Sequence, residues 1–324
     1  MKTSAWKTMY WLVKREFWEH RGGFFWAPII TGGVFLLLNI MGIIAAEVIG
    51  AQHGINFGAS GGLRHVIAEM DTGDLSKVGF ALDMAMYSAM GLLIVVLGFV
   101  VFFYCLSALY DDRRDRSILF WKSLPISDTS TVLSKIISAT MLAPIVAVIT
   151  GIIVGMLQLL ILAVTLSFHG VNVWQLLVLA HPFRVMANLI GYIPLYVLWA
   201  LPSVGWLLLC SAWARNKPFL WAVALPVATG LLVSWFGIMG LFDLPTIWFW
   251  KNIVQRGLFS VFPGTGSVFG HQGDIAVTGN QGMDFMDLGN TYQLLASANL
   301  WIGVVVGLGL LAGAIWFRRW RDDS

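Results

Sequence analysis

The sequence predicts an all-α integral membrane protein. It has six transmembrane helices, an N-terminal interfacial amphipathic helix and a re-entrant or interfacial helix between spans five and six. Three observations lead there. Hydrophobic residues make up 58% of the chain and charged residues 11%, against roughly 25% charge in ordinary soluble domains. Several segments exceed the roughly 18 apolar residues that mark a bilayer-crossing helix. Most of the lysines and arginines fall on one side of the arrangement those segments define.

The N-terminal segment, 1–23, comes first. Trp6, Tyr10, Val13 and Phe17 stack on one helical face, while Lys7, Lys14, Arg15, Glu16 and Glu19 lie elsewhere. An aromatic stripe beside cations suits a helix lying in the headgroup plane. Span one follows at 24–49, too long for the ~7–15-residue apolar core of a secretory signal and so read as a retained span. It carries Pro28, the Gly32-Gly33 pair and Asn39, with Glu47 at its far end within reach of water. Residues 50–83 are polar and Gly-rich, with a short amphipathic helix expected at 63–70. Span two is placed at 84–109, a charged loop at 110–135 and span three at 136–166, long enough to tilt. Span four is placed at 185–213, where Pro194 and Pro202 are expected to kink or interrupt the helix. A polar turn at 214–218 leads to span five at 219–241. Span six is placed at 294–317, before a basic tail. No internal repeat stands out, and 1–324 reads as a single transmembrane domain.

The outer connection, 242–293, divides in two. Its first part, 244–262, is apolar and aromatic but too interrupted for a comfortable span, so it reads as re-entrant or interfacial. Its second part holds Asp274, Asp284 and Asp287 without the alternate-residue oxygen spacing of a calcium loop, and reads as solvated.

The cations set the orientation. With the N-terminus inside, the inner segments hold Lys2, Lys7, Lys14, Arg15, Arg21, Arg113, Arg114, Arg116, Lys122, Lys135, Arg215, Lys217, Arg318, Arg319 and Arg321. The outer ones hold Arg64, Lys77, Arg184, Lys251 and Arg256. A bias of roughly three to one puts both termini in the cytoplasm. The expected location is therefore a plasma membrane, the inner membrane in a bacterial cell. The net charge of +3 speaks of topology and lipid headgroups; no nucleic-acid partner is expected.

Chemistry of its own is not visible in the chain. There is no phosphate-binding G-x-x-x-x-G-K-[ST], no H-E-x-x-H and no G-x-S-x-G. Cys105 and Cys210 sit singly in apolar segments, which suits packed thiols and gives no metal site. The six histidines are scattered, mostly at segment ends. No catalytic residue and no metal ligand is assigned. Asn39, Gln158 and Asn188 are polar within spans, where burial in lipid is costly. They either line a path or hydrogen-bond between helices, and Asn39 and Glu47 are the candidates for a substrate path. Gly303-x-x-x-Gly307 and Gly309-x-x-x-Gly313 in span six, with Gly151-x-x-x-Gly155 in span three, permit close helix contact.

The charged loop is the densest run of charge in the chain. Asp115-Arg116-Ser117-Ile118-Leu119 is followed by Ser123-Leu124-Pro125-Ile126-Ser127 and then Val132-Leu133-Ser134-Lys135. Pro125 prevents a continuous helix, and Ser127 or Asp128 can cap the next one. In these three motifs the sequence resembles the membrane subunit of an ATP-binding-cassette exporter of the ABC-2 type. It departs from that family at Ser117-Ile118, where Gly-Thr or Gly-Ser is usual. The plan of amphipathic helix, six spans and long outer connection is similar too.

The resemblance implies that Asp115, Arg116, Ile118, Leu119, Leu124, Pro125, Ile126 and Ser127 form a coupling element that docks on a separate ATPase subunit. It implies two permease copies, as homodimer or heterodimer, with two ATPase copies in the lipid bilayer. ATP and magnesium would sit on the ATPase, and this chain would bind no cofactor. The cargo would be hydrophobic or amphipathic. Two other classes stay open at this point. One is a membrane enzyme acting on lipid-linked substrate through His271, Asp274, Asp284 and Asp287; the other is a non-transporting anchor or sensor subunit.

Overall fold

The computed structural model describes residues 5–53, 72–115, 126–168, 179–239, 246–263 and 288–320. Arg116, Ile118, Leu119, Leu124 and Pro125 of the loop lie outside the described residues. So do the expected helix at 63–70 and the group His271, Asp274, Asp284 and Asp287.

The described residues are helical with no strand, and six helices are long and apolar enough to cross a membrane. The N-terminal helix, Ala5–Glu19, exposes Trp6, Tyr10, Trp11 and Trp18 and buries Leu12 and Glu16. Span one, Gly22–Gln52, opens with a π-helical turn at Gly22–Trp26. Span two is the helix Thr72–Ala108, and a short helix, Tyr110–Arg114, follows it. Span three runs without a break from Asp128 to Phe168, so the helix after the loop and the membrane helix are one rod. A π turn at Ser138–Leu142 lies within it.

Span four, Pro182–Trp213, continues through Pro194 and Pro202. Of the kink or interruption expected there, the interruption does not occur: a long apolar helix packed on neighbours tolerates a proline, because other groups take up the backbone partners it releases. Span five, Pro218–Ile238, starts from Lys217 in the left-handed region (φ 49°), with Pro218 in the first turn where its missing N–H costs nothing. It ends sooner than expected. The outer connection contains helix at 246–259, π-helical over Trp250–Gln255. Span six, Ala298–Trp320, begins later than expected because Gln293–Ala296 forms a 3-10 turn and Ser297 Oγ then accepts from Leu300 N.

The chain divides into two compact units. One comprises Phe25–Val96 and Ile145–Gly191. Its core is Leu82, Met86, Leu159, Ala180 and Val185. Gly32 is placed against Val154, where a Cβ would come within 2.5 Å of a valine methyl, so the helices approach closely only because position 32 lacks one. Gln158 Nε2 donates to Asn39 Oδ1 at 3.0 Å, and Asn188 Nδ2 donates to the Tyr87 hydroxyl at 3.0 Å. Such bonds in apolar surroundings contribute about 0.6 kcal/mol on average. Gln158→Leu is therefore expected to change unfolding free energy in detergent by about that amount or less. A loss several times larger would show that the pair has a further role.

The other unit comprises Met1–Phe24, Leu97–Pro144 and Tyr192–Ser324. Here span six crosses span four at Gly205 and Gly307, where a Cβ on either glycine would strike the other helix's backbone at 2.7 Å. The helix at 246–259 is tied in by side chains. Trp250 Nε1 donates to Ser234 Oγ at 2.8 Å, and the Tyr196 hydroxyl donates to the Val261 carbonyl at 2.8 Å.

Candidate functional site

Span two stops at Ala108 because the next two amides turn to another helix. Leu109 N and Tyr110 N both donate to Ser211 Oγ, at 3.0 and 2.9 Å. Arg113 then donates to the carbonyls of Ser211 and Ala214, at 2.6 and 2.9 Å. The start of the charged loop is thereby clamped to the end of span four. At its other end Ser127, in an extended conformation, caps span three by accepting from Ser130 N at 3.1 Å. Ser127 rather than Asp128 is the cap, and Asp128 is left to accept from Arg318.

Between these two ends lies a chain of charges, buried at Glu16, Lys135 and Arg318 and half-buried at Asp112 and Asp128. Glu16 of the N-terminal helix is fully buried, and Lys135 Nζ stands 3.2 Å from its Oε1. The same Nζ lies 3.5 Å from Asp112 Oδ2. Asp112 also accepts from Arg318 Nη1 at 3.1 Å, and Arg318 Nε donates to Asp128 Oδ1 at 3.1 Å. The Tyr104 hydroxyl donates to Glu16 Oε2 at 2.8 Å, and Arg15 donates to Oε1. One connected set of alternating charges thus joins the N-terminal helix, the end of span two, the start of span three and the end of span six.

Burial by itself would raise the Glu16 pKa, since it penalises the charged form. The Lys135 and Arg15 charges, with hydrogen bonds from Arg15 and Tyr104, outweigh it and hold the carboxyl below its ordinary range. Glu16, Glu19 and His20 bring one ligand atom each within 4.8 Å of one another, the spacing of a metal site. The Glu16 carboxylate, however, is already neutralised by two cations and a hydroxyl, so the set serves the ion chain and suits a metal poorly.

Beside this chain a groove of about 680 Å³ opens between the end of the N-terminal helix, span two and the start of span five. Phe24, Phe99, Phe103, Tyr104 and Phe219 supply its aromatic lining, with Glu19 and His20 at one end. Its size lies within the roughly 300–1,000 Å³ of small-molecule sites. Phe103 and Phe219 stack with ring centroids 6.2 Å apart, and Gly22 and Gly23 also line the groove.

The residues singled out from the sequence fall in several places. Asp115 is exposed and pairs with Arg114 at 3.1 Å, and Ile126 and Ser127 immediately precede span three. Asn39 holds Gln158 in mid-helix, while Glu47 is exposed near the end of span one. Glu16, Lys135, Asp112 and Arg318 were not singled out as a group. Only position 135 carried a signal, as the lysine of Val132-Leu133-Ser134-Lys135.

Residues 77–236 match the sequence model of a family described as ABC-2 family transporter protein. The matched stretch takes in spans two to four, the charged loop and most of span five. No curated protein and no solved structure matches the chain.

Proposed function

Because this chain belongs through residues 77–236 to the ABC-2 transporter family, we propose that it is the permease subunit of an ABC exporter driven by a separate ATPase. Its own part is mechanical. It holds two arrangements of a membrane bundle and is shifted between them by a partner that binds them unequally. Two permease copies in the plasma membrane, termini inside, would work with two ATPase copies carrying ATP and magnesium.

The observation that carries this reading is the ion chain Glu16–Lys135–Asp112–Arg318–Asp128, buried at Glu16, Lys135 and Arg318. A solvated loop anchored only by headgroups would need no such foundation. A loop that receives force does: both of its ends are fixed to rigid helices, so displacement of 116–125 is delivered to spans two and three instead of being absorbed locally. The aromatic groove supports a hydrophobic or amphipathic cargo. Its walls come from the entrance of span one and from spans two and five.

Alanine substitution across Leu124-Pro125-Ile126 is expected to abolish co-purification of the ATPase while membrane insertion stays normal. Undiminished co-purification would remove the docking assignment. Substrate-stimulated ATP hydrolysis by the reconstituted complex would then separate a transporter from an anchor or sensor.

A further inference from the structure

The outer connection contains a cation that no counter-charge meets among the described residues. Arg256 lies in the helix at 246–259. Its carbonyl accepts from Ser203 Oγ and Ser260 Oγ, each at 2.7 Å, so its backbone is fixed against span four. Its guanidinium carbon sits 4.4 Å from the centroid of the Trp199 ring. The guanidinium also occupies the space a side chain at Gly303 would need, so span six is notched to admit it. One nitrogen reaches the Leu300 carbonyl at 3.5 Å, the limit of a hydrogen bond, and the buried Nε meets no acceptor among the described residues.

Among the described residues no carboxylate pairs with Arg256 or with Lys251, one turn earlier in the helix. Burial, with nothing opposing it, lowers the Arg256 pKa. A guanidinium nevertheless keeps its proton, so it remains a charge that no described carboxylate neutralises. Holding even a half-buried cation in that way is costly.

Space for that partner is present. A small cavity of about 20 Å³ is bounded by Trp199, Lys251, Asn252, Gln255, Arg256 and Asn299, among others. That is room for a single oxygen-bearing group, given that a water needs roughly 10–15 Å³. The lining offers two cations and several side-chain amides and contains no acid. We propose that the mouth of this cavity is an anion-binding site, where one oxygen of a phosphate-type oxyanion enters and the rest of the group stays outside, with Arg256 as its main donor and Lys251 as the second charge. The anion is either a phospholipid headgroup or soluble phosphate; both present the same oxygens to the guanidinium fork. The site is separate from the coupling loop and does not depend on which cargo is carried.

The test uses the full chain in dodecyl maltoside micelles, which carry no phosphate. In one arm, inorganic phosphate is added and the thermal unfolding midpoint is followed against its concentration. In the other, phosphatidylglycerol is added without inorganic phosphate, and the same midpoint is followed. A saturable rise in the first arm identifies soluble phosphate, and one confined to the second identifies the headgroup. In either case Arg256→Gln is expected to weaken the effect about tenfold or more, as removal of a charge-assisted hydrogen bond does. Arg256→Lys should restore part of it. Lys251→Gln, at a more open position, should weaken binding several-fold and serves if Arg256→Gln does not fold. No saturable rise with either probe, or a rise that Lys251→Gln and every foldable Arg256 variant leave unchanged, overturns the proposal.

Discussion

Lys135→Met is expected to destabilise the protein by about 3 kcal/mol, the lower end of the roughly 3–5 kcal/mol seen when one member of a buried ion pair is removed. The lower end is expected because neither carboxylate is wholly abandoned. Glu16 keeps Arg15 and Tyr104, and Asp112 keeps Arg318. Adding Glu16→Gln to Lys135→Met should recover part of the loss, since a neutral buried pair no longer leaves an uncompensated charge. Acid unfolding provides an independent readout. In the native protein the Glu16 pKa is lowered, so its contribution to stability is complete above the unfolded-state value near 4.5 and is lost as pH falls through the lower folded-state value. Without Lys135 the largest opposing charge is gone and burial dominates, so the loss should begin at higher pH. Unfolding free energies in detergent from pH 3 to 8 would show both effects. An unchanged acid midpoint together with full stability would mean that the contact between Lys135 and Glu16 carries no energy.

The loop and its foundation were unequally legible. The start of span three could be read because its determinants are local: Pro125 bars a helix, and Ser127 sits at the right distance to cap the next one. The ion chain could not be read because each member had a sufficient local explanation. Glu16 belongs to the polar part of an amphipathic helix, and Arg318 looks like one more positive charge at the end of a last span. Lys135 counts toward the inner cations by position alone. Their association depends on contacts between residues as far apart as Asp112 and Arg318, 206 positions along the chain. Arg256 was hidden in the same way, tallied as an outer cation with nothing to indicate Trp199 above it. The proline pair in span four shows what a local rule leaves open. It allows a kink or a break, and in the packing of a long apolar helix the break does not occur. The spans themselves were legible throughout, because bilayer-length apolar composition needs no knowledge of partners.

The glycines of span six lie between these cases, since the sequence shows that close contact is permitted but not with what. Gly307 resolves it. A Cβ there would lie 2.7, 2.8 and 2.9 Å from the Leu201 carbonyl carbon, its oxygen and the Pro202 nitrogen. All three are backbone atoms of span four, and none can rotate away as a side-chain terminus would. Gly205 faces the reciprocal restriction from the Gly307 carbonyl at 2.7 Å. Gly309, by contrast, meets nothing within 4 Å although it belongs to the neighbouring Gly-x-x-x-Gly pair. Gly307→Val should therefore separate spans four and six and cost about 3 kcal/mol, at or above the upper end of ordinary overpacking. Gly309→Val should be nearly neutral. Because Arg318 lies in the last turn of span six, the same separation should draw its guanidinium away from Asp112 and Asp128 and weaken the loop's foundation from a distance. Gly307→Val is thus expected to reduce ATPase co-purification as well as the thermal midpoint, while Gly309→Val leaves both intact. Equal behaviour of the two variants would show that the crossing at Gly205 and Gly307 is looser than described and that span six does not brace the loop.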